Sequence, residues 1–98
     1  MAAWCATMAP MELYAVTIRI TATPDQVESI LPPQLEAILE LGRAGRIRLA
    51  GRLDIDGGFL AVFEAKDLLD ARATAENFPL IRDGLASWSL RRFEELER

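Results

Sequence analysis

Four arginines, Arg19, Arg48, Arg52 and Arg91, and two carboxylates, Asp54 and Glu64, are the residues of this chain whose types and spacing suit chemistry. A guanidinium offers a planar fork of donors that matches a carboxylate or phosphate two bonds at a time. Arg48, Arg52 and Asp54 stand at even spacing, and Arg19 and Arg91 fall in two further alternating segments. Paired as a sheet, those segments would turn this group toward one face. A small anionic organic molecule is the ligand such a face suits. Asp54 or Glu64 would be the general base if burial raised its proton affinity. The same residues have a plainer use as ion pairs to a partner subunit, or as solvated strand ends.

What the chain lacks narrows the chemistry further. With no histidine and one cysteine, Cys5, it has no Ser–His–Asp set, no Cys–His pair and no histidine-ligated haem. Its carboxylates are not clustered at ligand spacing and no glycine-rich phosphate loop is present, so neither metal nor cofactor is expected. A net charge of −4 disfavours nucleic acid and anionic membranes. The run Gly58-Phe59-Leu60-Ala61-Val62-Phe63 echoes an RNA-recognition strand, but Gly57 stands where its basic residue would be and Ala61 where its stacking aromatic would be. No apolar run reaches the roughly 18 residues that span a bilayer. A single cysteine fits a reducing cytoplasm.

The elements that must position these residues can be read from period and punctuation. Residues Glu12–Ile20 alternate as a strand, with Tyr14, Val16, Ile18 and Ile20 on one face. Thr23-Pro24-Asp25 opens a helical segment over residues 23–44, Thr23 as cap and Pro24 in the first turn. Pro32-Pro33 interrupts it, and it restarts near Pro33 with Leu35, Ala37, Ile38, Leu39 and Leu41 as its buried face. Gly45 suits the helix exit. Residues 47–54 alternate again, placing Ile47, Leu49, Gly51 and Leu53 on one face and Arg46, Arg48, Ala50, Arg52 and Asp54 on the other. Asp56-Gly57-Gly58 signals a hairpin, and residues 59–64 form an apolar strand covered on both sides. Asp67 caps a second helix with Leu68, Leu69, Ala71, Ala73 and Ala75 as its packing surface, closed by Asn77-Phe78-Pro79. The last strand, residues 85–93, turns Ala86, Trp88 and Leu90 to one face, which favours core packing for Trp88 over ligand stacking.

The order is βαββαβ, a ferredoxin-like α+β domain with a four-stranded antiparallel sheet. One sheet face is left bearing Thr17, Arg19, Arg48, Arg52, Asp54, Ser87, Ser89 and Arg91 among Leu13, Leu85 and Phe93. It is too apolar for plain surface and too polar for core, so a partner subunit is its expected cover, in a homodimer or higher homo-oligomer. Residues 1–10 read as a loosely held extension and residues 11–98 as one domain.

Pro33-Gln34-Leu35, followed by Gly45-Arg46-Ile47-Arg48-Leu49-Ala50-Gly51, resembles the YCII-related run of a helix-initial histidine, a helix and "GR(L/I)xxAG". Ile47–Arg52, Phe63-Glu64-Ala65 and Phe78-Pro79-Leu80 resemble the successive strand and helix-exit motifs of muconolactone isomerase-like proteins. Together they mark a resemblance to the dimeric α+β barrel superfamily across residues 12–93. The resemblance implies face-to-face packing of sheets and a small-molecule ligand, with isomerase or lyase chemistry on a small carboxylic acid or lactone. The acid–base pair proposed for YCII-related proteins is replaced here by Gln34 and Phe78, neither of which exchanges a proton near neutrality. That replacement keeps a non-catalytic binding, regulatory or structural module open as the alternative.

Overall fold

The structure, a computed structural model, describes residues 11–53 and 57–96. Its elements run β1 (Glu12–Ile20), α1 (Pro24–Glu28), α2 (Leu31–Arg43), β2 (Ile47–Arg52), β3 (Phe59–Ala65), α3 (Leu68–Glu76), α4 (Pro79–Arg82) and β4 (Ala86–Phe93). The four strands form one antiparallel sheet in the order β2-β3-β1-β4. This is the ferredoxin-like α+β arrangement expected from the sequence, with each helical segment divided in two.

The divisions have local causes. Thr23 and Gln26 form a reciprocal capping box, the Thr23 N–H donating to Gln26 Oε1 at 3.0 Å. The second helix begins at Leu31 rather than at Pro33, because the first turn of a helix has no intrahelical partner for its N–H groups. Pro32 and Pro33 therefore sit inside the helix start at little cost. Asp67 caps α3 by accepting from the Asp70 N–H at 2.8 Å, as expected. Phe78, in extended backbone, caps a further short turn, α4, that the sequence reading did not anticipate.

One sheet face carries the core. Tyr14, Val16 and Ile18 of β1 and Phe59, Ala61, Phe63 and Ala65 of β3 pack against Val27, Ala71, Ala75, Phe78 and Leu80. Two helix faces differ from expectation. In α2 the inward stripe is Gln34, Ala37, Ile38 and Leu41, while Leu35 and Leu39 face outward. In α3 the alanines Ala71 and Ala75 pack, leaving Leu68 and Leu69 exposed. Small residues there let the helix approach the sheet closely, and Ala37 does the same in α2.

The largest departure lies in β2. Ile47 pairs with Phe63, but Leu49 pairs with Val62, so two residues of β2 oppose one of β3. This one-residue bulge at Arg48 reverses the alternation beyond it. Ala50 and Arg52 then stand opposite Ala61 and Phe59, on the helix-covered face, while Leu49 and Gly51 turn to the other. The uniform alternation expected over residues 47–54 is therefore corrected.

The opposite sheet face has no covering helix among the described residues. It presents Leu13, Ala15, Thr17 and Arg19 of β1, Leu60, Val62 and Glu64 of β3, Leu49 of β2, and Ser87, Ser89, Arg91 and Phe93 of β4. Val62 is nonetheless buried. Cover on both sides, expected for β3, is thus met by the helices on one side only. No helix of the described residues is long and apolar enough to cross a membrane.

Candidate functional site

The bulge decides which of the expected site residues can act together. Arg52 does not share a face with Arg19 and Arg91. Its guanidinium lies over the Phe59 ring, 5.4 Å from the centroid, on the helix side of the sheet. Arg19 and Arg91 remain on the open face, opposite Ser87 and Ala15 in the β1–β4 register. Four registers separate them, roughly 13 Å along the strands, too far for one small ligand to bridge. Arg48, at the bulge, pairs with Glu95 at 3.0 Å. Glu64 is on the open face at the far end of β3 from Phe59, roughly 17 Å along the strand from the level of Arg52. Asp54 lies outside the described residues. The expected single cluster on the open face is therefore replaced by separate positions: the bulge turned Arg52 to the other face, and the β1–β4 register keeps Arg19 and Arg91 apart.

What surrounds Arg52 is a cleft of ≈ 510 Å³ between the sheet and the first helices. Ile20, Ala22, Val27 and Leu31 supply apolar walls, and Asp25 and Glu28 of α1 stand at its rim. The guanidinium is within cation–π range of Phe59 and the residue is exposed, so its N–H groups are accessible to a ligand. No carboxylate of the described residues forms an ion pair with it. An arginine held in this way against apolar walls suits an organic acid whose ring or chain enters the cleft. The rim carboxylates are the acidic groups of the described residues that line this cleft. Asp25 was not singled out from the sequence because an acidic residue in a helix first turn is an ordinary feature, and Glu28, at the helix end, carried no signal of its own.

Arg46 also escaped notice. It lies on the helix-covered side, donating from Nε to the Glu64 carbonyl at 2.9 Å and from Nη2 to Thr74 Oγ1 at 3.2 Å. Asp70 is 3.6 Å away and the Phe63 ring lies 6.0 Å below. Gly45 at its helix-exit position (φ 75°) delivers the chain to this point.

Gln34 and Phe78, which stand where the resemblance places an acid–base pair, are both buried and close in the fold. Gln34 Oε1 accepts the Leu80 N–H at 3.1 Å, just past Phe78 at the start of α4. Phe78 belongs to the core. The Gln34 amide nitrogen is buried without a hydrogen-bond partner among the described residues. These side chains bind α2 to α4 and exchange no protons.

No protein-family model and no curated protein sequence matches the chain. Solved structures do. One is 5-chloro-2-hydroxyhydroquinone dehydrochlorinase (TftG) from Burkholderia phenoliruptrix AC1100, in complex with 2,5-dihydroxybenzoquinone. It is 18% identical over 84% of this chain and 93% of that one, with a TM-score of 0.68. Another is muconolactone isomerase, 16% identical over 86% of this chain and 90% of that one, also with a TM-score of 0.68. At such identities the likeness shows the fold alone: a ferredoxin-like α+β domain of the kind seen in muconolactone isomerase.

Proposed function

We propose that the protein binds a small, acidic, oxygenated organic molecule in the cleft beside Arg52 and acts on it as an isomerase or lyase. The observation that carries this reading is the bulge that sets Arg52 over Phe59 on the helix side, facing an apolar cleft. Arg52 anchors the acid group. A carboxylate at the rim, Asp25 or Glu28, or Asp54 two residues beyond Arg52 in the chain, takes a proton from one carbon and returns it elsewhere. Glu64, Arg48 and Arg91 lie farther along the strands from this cleft, and Arg19, though near its level, is on the opposite sheet face, so none of them shares in that step. The compounds named for the two structural neighbours, a lactone and a hydroxylated quinone, are of the size and polarity this cleft accommodates.

A second reading, binding without turnover, is favoured by Gln34 and Phe78, which fill the acid–base positions with core side chains. In both readings the protein works in the cytoplasm, with a second copy of the chain covering the open sheet face.

The test is a thermal-shift titration with small lactone carboxylates and dihydroxybenzoquinone, followed by turnover assays on any binder. A ligand at 100 times its dissociation constant stabilises the native state by about 2.7 kcal/mol. Arg52→Ala should abolish that shift for an acidic ligand, and unchanged affinity removes Arg52 from the site. Product formation separates the two readings.

A further inference from the structure

We infer that a second cleft, between α2 and the α3–α4 pair, is a binding site for an α-amino acid with an apolar side chain. It has a volume of ≈ 490 Å³ and lies at the opposite end of β2 from Arg52. Six residues separate Arg46 from Arg52, roughly 20 Å of strand, so the two clefts do not share a ligand.

The cleft holds charges of both signs. Arg46 and Arg82 line it, and Glu40 of α2 lines it too. Arg46 is three-quarters buried and its Nε and Nη2 are fixed by Glu64, Thr74 and Asp70. Its Nη1 has no partner among the described residues, which leaves one edge of an already oriented fork for a carboxylate. Glu40 is held only loosely, 3.8 Å from Arg43, because Arg43 makes its shorter contact, 3.0 Å, with Glu36. Helices α2 and α3 both end at this cleft, at Ala44 and Asn77, so their partial negative charge adds to that of Glu40.

This arrangement selects against singly charged ligands. A plain anion meets Glu40 and two helix C-termini, and a plain cation meets two guanidinium groups. A zwitterion places its carboxylate on Arg46 and Arg82 and its ammonium toward Glu40 and the helix ends. Ala37, Leu41, Ala44 and Phe78 then receive an apolar side chain, and the Asn77 amide offers a donor and an acceptor at the rim.

Titration calorimetry of the full chain with L-phenylalanine and L-leucine tests the assignment. 3-Phenylpropanoate, which lacks the amine, and 2-phenylethylamine, which lacks the carboxylate, serve as probes of each half. Saturable binding of at least one amino acid is expected, with each half-analogue about tenfold weaker or worse, the order of one charge-assisted hydrogen bond. Glu40→Gln and Arg82→Gln, both at exposed positions, should each lose about the same factor, while Arg52→Ala leaves binding unchanged. The assignment is overturned if neither amino acid binds. It is equally overturned if 3-phenylpropanoate binds as tightly as L-phenylalanine and is indifferent to Glu40→Gln. Because Arg52→Ala is scored separately, failure here does not bear on the Arg52 cleft.

Discussion

The single tyrosine gives the chain an internal reporter of its own packing. Tyr14 donates its hydroxyl to Glu12 Oε1 at 2.7 Å, and Arg92 approaches the other carboxylate oxygen at 3.6 Å. The hydrogen bond to Glu12, followed by burial, holds the phenol above its ordinary range, and Arg92 opposes this in part. A phenol raised in the folded state stabilises the fold fully below the unfolded value of 10.0, and that contribution is lost as pH rises through the folded value. Near-ultraviolet tyrosinate absorbance should therefore titrate above the free phenol. Glu12→Gln should lower the midpoint, and a midpoint that stays put would remove the Glu12 bond as the cause. Gln34 shows a different balance. Gln34→Leu strands the buried Leu80 N–H but also removes an amide nitrogen that has no partner among the described residues. Those effects oppose, so chemical denaturation should show a loss of about 1 kcal/mol. Gln34→Ala adds a cavity and should cost about 3 kcal/mol.

At the scale of elements, each strand and helix was legible because period and punctuation are local properties. Glu12–Ile20, the Thr23 and Asp67 caps and Gly45 all came from side-chain pattern alone. The bulge was not legible, since an extra residue at Arg48 leaves the spelling of the strand unchanged and shows only in pairing with β3. That single shift is what took Arg52 off the open face, while the separation of Arg19 and Arg91 follows from strand register. The buried stripe of α2 was misjudged for a related reason: Gln34 is core only because α4, from a distant part of the chain, brings it the Leu80 N–H. The hairpin glycines separate two kinds of constraint. Gly57 has a φ of 67° and open space around it, so Gly57→Ala meets backbone strain alone, about 1 kcal/mol. Gly58 has no such φ, yet a Cβ there would strike the Ile18 carbonyl oxygen where β3 enters beside β1. Backbone cannot yield as a side-chain tip does, so Gly58→Ala should cost more, about 3 kcal/mol. Equal melting points for the two variants would refute the close approach.

At the scale of the molecule, the open sheet face is where the proposed second copy would pack. Leu49 is 56% exposed there and Phe93 36%, beside Leu13, Ala15 and Val62. The Arg48–Glu95 pair joins β2 to the chain just past β4, the two outer strands, which lie roughly 14 Å apart across the sheet. The segment after Phe93 therefore reaches back toward β2, and both partners are half exposed. Exposed pairs of this kind contribute at most about 1 kcal/mol, so the contact does not keep a second subunit away. Covering the face with a second copy removes Leu49 and Phe93 from water, whereas the helix layer has its own outward leucine, Leu39, at 55% exposure. That match in exposure makes a controlled comparison. Leu49→Asp and Leu39→Asp each put a carboxylate on an already exposed position, so both subunits should fold. If the sheet face is the interface, light scattering will show a dimer for the unaltered chain and for Leu39→Asp, and a mass near 10.9 kDa for Leu49→Asp. The reverse result would move the interface to the helices. A monomer in all three would leave the sheet face bare. A site shared with a partner would then be excluded, and the clefts beside Arg52 and Arg46 would have to act within one chain.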